Sequence, residues 1–156
     1  MKKILFVCHG NICRSPMAEY VMKDLVKKAG LEAEFQIASA ATSREEIGNP
    51  IYPPARRKLR EKGIPFGDHR AVQMTRQDYG AYDLLLAMDQ ANVCNMTAIA
   101  GGDPAGKIRR LLDFTDHPRD IADPWYTGDF EATYDDLLQG CQALLDWLEG
   151  QDPPCV

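Results

Sequence analysis

The run Ile4-Leu5-Phe6-Val7 passes directly into Cys8-His9-Gly10-Asn11-Ile12-Cys13-Arg14-Ser15-Pro16, and this junction constrains the fold more than any other feature. A short, continuous apolar run reads as a strand covered on both faces. After Pro16 the period changes. Met17, Val21 and Leu25 recur every four residues, and Ala18, Met22 and Ala29 widen the stripe. This predicts a helix over about 16–29, with Ser15 as N-cap, Pro16 at N1 and Gly30 closing the end. A strand feeding a helix through a tight polar loop opens a βαβ unit, and therefore a parallel sheet.

The alternation continues along the chain. Phe35 to Ser39 reads as a second strand, residues 42–54 as a polar loop, and Pro54 to Lys62 as a short basic helix stopped by Gly63. Leu84 to Met88 predicts a central strand, and 89–99 a helix broken by Gly101-Gly102-Asp103-Pro104. Ile108 to Leu112 supplies a fourth strand. Phe130, Tyr134, Leu137, Leu138, Cys141, Leu144, Leu145 and Leu148 share one face of a last helix, with Asp129 as its N-cap. The expected class is α/β, a Rossmann-like three-layer sandwich in a single domain over residues 1–150, with a frayed tail over 151–156. In such sheets ligands bind beyond the carboxyl ends of the strands, where the Cys8 loop falls.

A formal net charge of −5 argues against nucleic acid as a partner. No apolar run approaches the roughly 18 residues that a membrane span requires. The apolar run behind Met1-Lys2-Lys3 is too short for a signal-peptide core. The five cysteines, Cys8, Cys13, Cys94, Cys141 and Cys155, therefore read as reduced thiols, and a cytoplasmic location is expected.

The loop itself describes an oxyanion cradle. Between a strand and a helix N-terminus, the backbone N–H groups of His9, Gly10, Asn11, Ile12, Cys13 and Arg14 can converge on an anion, aided by the helix dipole. Gly10 permits close approach, and Asn11 tolerates the left-handed region. Arg14 offers a planar fork for two phosphate oxygens. The same field acts on Cys8 and favours its nucleophilic thiolate form. Each residue alone has a plainer reading as core, turn or helix start, but all of them at compatible spacing favour the cradle. A nucleotide-binding P-loop is excluded because its Gly-Lys-Ser/Thr ending is absent. Cys8, His9 and Cys13 lack the spacing and the second ligand pair of a zinc site.

Asp123-Pro124-Trp125-Tyr126 is the second informative segment. Pro124 stiffens the loop, and the aromatics can cover an apolar leaving group while shielding Asp123, which would suit its carboxyl to general acid work. The same tetrapeptide also reads as a turn with an N-capping aspartate and two half-buried aromatics.

Together, Val7 to Pro16 and Asp123 to Tyr126 closely resemble the low-molecular-weight protein tyrosine phosphatases. The likeness extends through Ser39-Ala40-Ala41-Thr42-Ser43, Ile47-Gly48-Asn49-Pro50, Gly63-Ile64-Pro65, His69, and Met88-Asp89 with Asn92. The resemblance implies a four-stranded parallel sheet in the order 2-1-3-4 and a monomer that needs no metal or cofactor. It implies hydrolysis of phosphotyrosine and aryl phosphate monoesters through a cysteinyl-phosphate intermediate. Phosphotyrosine proteins or peptides would be the partners and inorganic phosphate the product. Cys8 would be the nucleophile, Arg14 the phosphate clamp and Asp123 the acid, then base. Asn11, Ser15, Ser39 and His69 match the family's loop-supporting network. Cys13 matches the second loop cysteine, which can form a reversible disulfide with the nucleophile.

This chain departs from the family at the expected substrate wall, formed by Glu45, Trp125 and Tyr126. Members often place an aromatic where Glu45 stands in Arg44-Glu45-Glu46, and more often a tyrosine where Trp125 stands. They usually have an arginine near Val72, and this chain carries one extra residue around Gly67-Asp68. A thioredoxin-coupled arsenate reductase would need a cysteine where Asp89 stands, leaving Cys94 alone. The phosphoarginine-hydrolysing branch carries threonine where this chain has Ile12.

Overall fold

The computed structural model describes residues 1–150; the frayed tail expected over 151–156 lies outside the described residues. The strands are β1 (Lys2–Cys8), β2 (Phe35–Ala41), β3 (Leu84–Ala87) and β4 (Ile108–Arg110). The helices are α1 (Arg14–Lys28), α2 (Pro53–Glu61), α3 (Arg76–Ala81), α4 (Gln90–Ala100), α5 (Pro124–Thr127) and α6 (Phe130–Gly150). All strand pairs are parallel, in the order β2-β1-β3-β4. The chain leaves β1 outward to β2, then returns to the other side of β1 for β3 and β4. The carboxyl ends of β1 and β3 thus flank the switch point, where ligand crevices form in such sheets.

Strand parity decides what Cys8 faces. Side chains alternate across a sheet, so Ile4, Phe6 and Cys8 join the cluster containing Met17, Val21 and Met22 of α1 and Leu137, Cys141 and Leu144 of α6. Leu5 and Val7 point the other way, to Met96 and Ala100 of α4. The sulfur of Cys8 therefore lies on the sheet face that carries α1, close to that helix's N-terminus. All eight residues expected on the face of α6 pack into the first cluster.

The structure departs from the sequence reading at four places. First, α1 begins at Arg14, with Cys13 as N-cap and no side-chain cap bond. Ser15 is already helical, and its hydroxyl is used in the loop. Pro16 remains harmless because the first-turn N–H groups have no intrahelical partner. Second, β4 ends at Arg110, and Leu111–Phe114 form a 3₁₀ turn because Asp113 folds back to accept from the Arg110 N–H at 3.3 Å. Third, α3 arises without an apolar stripe, from the capping box of Thr75 and Asp78. Fourth, the loop carrying Asp123 turns into the short helix α5.

The 3₁₀ turn is pressed against α6. A Cβ on Gly140 would lie 2.5 Å from Leu111 Cγ and 2.9 Å from its Cδ2. Gly140→Ala should therefore lower stability by about 1–3 kcal/mol through overpacking, despite the roughly 1 kcal/mol that alanine gains in a helix interior. Urea denaturation of both proteins measures the difference, and a more stable variant would show that the turn can move.

Candidate active site

Asn11 is the residue that sets the loop's shape. It has φ 57°, the sole positive value among the described residues other than glycine. Its side chain is completely buried and every polar atom is used. Nδ2 donates to Ser15 Oγ at 2.8 Å and to Ser39 Oγ at 2.9 Å. Oδ1 accepts from the Val72 N–H at 3.1 Å. Its carbonyl accepts from His69 Nε2 at 2.8 Å, which places the proton on that nitrogen. The loop is also tied to β2, since Thr42 N–H donates to Cys8 O and Ser43 N–H to His9 O. The structure thus gathers Asn11, Ser15, Ser39 and His69 around the cradle.

The Cys8 sulfur lies 3.0 Å from Ser15 Oγ and accepts from the Asn11 N–H at 3.3 Å. Ser15 Oγ accepts from Asn11, so its single proton has two destinations: Cys8 Sγ, or the Ala40 carbonyl at 3.3 Å. A thiolate can only accept, so an ionised Cys8 takes that proton. A neutral thiol can donate to Ser15 and release the hydroxyl toward Ala40. The second loop cysteine is chemically different. Burial pushes the Cys13 thiol far up, and the nearby Cys8 sulfur pushes it further, so Cys13 stays protonated.

Arg14 is buried, with three acceptors around its guanidinium. Nη1 donates to Asp89 Oδ2 at 2.6 Å and to the Ile121 carbonyl at 2.9 Å. Nη2 lies 3.4 Å from Asp123 Oδ2. Burial alone would lower the Arg14 pKa, but the Cys8 sulfur, the Asp89 hydrogen bond and the Asp123 carboxylate raise it more, so the charge is retained. Asp89 has a second task, since its Oδ1 caps α4 by accepting from the Asn92 N–H at 2.7 Å.

Asp123 unites the two readings of its segment. Oδ1 accepts from the Trp125 N–H at 3.0 Å and caps α5, while Oδ2 faces Arg14. The aromatics are more open than the sequence implied. Tyr126 is exposed, and Trp125 is about half exposed, with its ring 4.8 Å from that of Tyr52. Cys8, His9, Gly10, Ile12, Cys13, Arg14, Glu45, Glu46, Asp123, Trp125 and Tyr126 line one cavity of about 110 Å³. Asn11, Ser15, Ser39 and His69 are absent from that lining and stand behind it.

Two partnerships here escaped sequence reasoning. Glu19 is buried on α1, accepting from Ser39 Oγ at 2.6 Å and from Lys23 Nζ at 2.6 Å. Because Ser39 donates to Glu19, it must accept from Asn11, which fixes the amide orientation. Its signal was a glutamate four residues after Ser15, on the helix's inner face. Asp89, the partner of Arg14, was signalled by a carboxylate just past a buried strand.

A Cys-x5-Arg cradle at the carboxyl edge of a parallel sheet is the layout of a cysteine-dependent phosphatase. Comparison with known proteins narrows this class. Residues 3–152 match the family described as low molecular weight phosphotyrosine protein phosphatase. The Bacillus subtilis low molecular weight protein-tyrosine-phosphatase YfkJ is 41% identical over 147 residues, covering 93% of this chain and 94% of that protein. The human low molecular weight phosphotyrosine protein phosphatase is 37% identical over 150 residues, with 93% and 94% covered. The YfkJ crystal structure superposes with a TM-score of 0.94 at 39% identity, covering 97% of both chains. That of SP-PTP from Streptococcus pyogenes gives 0.85 at 38% identity, covering 99% of this chain and 95% of that one. The chain belongs to the low molecular weight phosphotyrosine protein phosphatase family, a family of hydrolases that act on phosphotyrosine.

Asn11→Ala removes the amide that holds Ser15 and Ser39 and leaves the Val72 N–H without its acceptor. Stability should fall by about 1–3 kcal/mol, and phosphatase turnover on the order of 10²-fold through misplacement of the cradle. Thermal unfolding and aryl phosphate kinetics on one preparation check both. Unchanged turnover in a destabilised protein would reduce Asn11 to a purely structural residue.

Proposed function

We propose that the chain hydrolyses phosphotyrosine and aryl phosphate monoesters by covalent catalysis at Cys8, without a metal. The observation that carries this reading is that Cys8 and Arg14 of one loop and Asp123, more than a hundred residues away, line one cavity. Both Nη1 hydrogens of Arg14 are engaged by Asp89 and Ile121. That leaves Nε and Nη2 as the edge that grips two phosphoryl oxygens. The backbone N–H groups of His9 to Arg14 take up the charge that develops in the transition state.

In the first step Cys8 Sγ attacks phosphorus, the bond to the tyrosyl oxygen breaks, and Asp123 gives that oxygen its proton. Cys8 is then a phosphocysteine and Asp123 a carboxylate. In the second step Asp123 takes a proton from water, the water oxygen attacks phosphorus, and the sulfur–phosphorus bond breaks. Inorganic phosphate leaves, the thiolate is restored and Asp123 is again protonated. Trp125 and Tyr126 flank the leaving ring, supported by the tilted ring contact of Trp125 with Tyr52.

Residues 1–150 act in this reading as a single phosphatase domain, a cytoplasmic monomer with neither a nucleic-acid nor a membrane partner. The net charge of −5 supports the nucleic-acid part. No helix among the described residues is long and apolar enough to cross a membrane. Cys13, a buried neutral thiol in the same loop as Cys8, protects it by forming a reversible disulfide when Cys8 is oxidised.

Cys8→Ser should abolish turnover of an aryl phosphate, and wild-type rates would refute the covalent route. Asp123→Asn should slow phosphotyrosine, a poor leaving group, far more than p-nitrophenyl phosphate, a good one. Equal slowing would remove the acid role from Asp123. Peroxide should inactivate the wild type reversibly, with thiol reductant restoring activity, and Cys13→Ser irreversibly. Identical recovery in both proteins would end the protective role of Cys13.

A further inference from the structure

The mouth of the cavity is acidic on the side of the 43–49 loop. Glu45 and Glu46 both line it, beside Asp123. The guanidinium in the lining, that of Arg14, is buried and held by Asp89. Arg44, the neighbouring cation, donates from Nε to Gln73 Oε1 at 3.1 Å. A dianionic phosphate entering this mouth thus approaches carboxylates before it reaches the cradle.

The two glutamates are held differently. Glu46 accepts from Asn49 Nδ2 at 2.6 Å, and its stem rests over Gly10, where an added Cβ would lie 3.4 Å from Glu46 Cγ. It is anchored to the loop floor. Glu45 reaches across to His9, accepting from Nε2 at 3.0 Å, and its side chain keeps 70% of its surface open. His9 is itself part of the cradle. The Glu45 carboxylate is therefore one hydrogen bond from the phosphate loop, on a long and exposed side chain that can exchange partners.

Resting on the phosphotyrosine reading above, we propose that Glu45, assisted by Glu46, reads a lysine or arginine next to the phosphotyrosine of a protein substrate. The incoming cation replaces His9 as the partner of Glu45 and offsets the repulsion between the carboxylates and the phosphate. A basic neighbour is favoured, and an acidic neighbour would add a further repelled charge. The exposed Trp125 and Tyr126 provide apolar surface for the phosphorylated ring, so charge at the mouth is left to sort the flanking residues.

The test compares kcat/KM for phosphotyrosine peptides of one length carrying lysine, acetyl-lysine, alanine or glutamate beside the phosphotyrosine. The ratio of lysine to glutamate peptide within each enzyme cancels any common effect of a variant on turnover. The wild type should favour lysine about tenfold at low salt, with the ratio shrinking as salt screens it. Acetyl-lysine should behave like alanine. Glu45→Gln should shrink the ratio, and Glu45→Lys should reverse it. A ratio near one, a ratio that Glu45→Lys leaves unchanged, or acetyl-lysine as good as lysine would each overturn the inference. A wild type that hydrolyses all peptides alike overturns it alone, whereas one that hydrolyses none overturns the phosphotyrosine reading as well.

Discussion

The buried amide of Asn11 is the constraint on which the rest of the site depends. A non-glycine residue at φ 57° is disfavoured, and the conformation persists because four residues from three segments hold it. Ser15 on α1 and Ser39 on β2 share the amide nitrogen, while Val72 and His69 in the loop before α3 bond the amide oxygen and the backbone carbonyl. Only with Asn11 turned this way do its own N–H and the Ser15 hydroxyl both reach the Cys8 sulfur. The hub is extended by Glu19, which makes Ser39 a donor and so leaves Ser39 only its lone pairs to offer the amide. A buried network of this kind is stabilising because every member is satisfied.

Arg14 shows the complementary logic for charge. Removing a guanidinium from water is costly unless its donors are met, and here Asp89, Ile121 and Asp123 meet them from three other segments. The pairing with Asp89 fixes the plane of the fork, and the same aspartate starts α4. The position of the cation is thereby coupled to the end of β3 and the start of the next helix. The sheet's switch point and the proposed phosphate clamp are one structural unit.

How much of this was legible in the sequence depends on the range of each interaction. Ile4 to Val7 declared a covered strand because burial on both faces leaves a continuous apolar run, whereas the face taken by Cys8 emerged only with the two packed layers. The stripes of α1 and α6 declared their core faces for the same reason. Ser15 was misread as a cap because a serine before a proline carries the same local signal whether its hydroxyl turns to the backbone or to a sulfur seven residues back. Leu111 and Leu112 read as strand because both are apolar, although the turn is decided by Asp113. α3 has no apolar stripe to read, and only Thr75 and Asp78 announce it. Glu19 and Asp89 were invisible as partners because their bonds to Ser39 and Arg14 span 20 and 75 residues.

Asp123 shows why a structural role and a chemical role need not compete. A capping aspartate gives one oxygen to a helix N–H, contributing about 1 kcal/mol, and that bond removes the rotation that would otherwise swing the carboxyl away. With Oδ1 held by Trp125 N–H, Oδ2 has a fixed direction, toward Arg14 and the cavity. The chemistry proposed for this residue requires the proton to be delivered at one point, beside the oxygen that leaves phosphorus, and a freely rotating carboxyl would lose rate by misplacement. The cap is thus the device that aims the proposed acid, and Pro124 at the first position of α5 stiffens the same turn. The four-residue helix is too short to hold its shape by itself. Its anchoring comes from Trp125 on Tyr52, whose own N–H donates to the Ile12 carbonyl in the cradle. This ring contact and hydrogen bond join the direct Arg14–Asp123 contact in aligning the proposed acid with the phosphate loop.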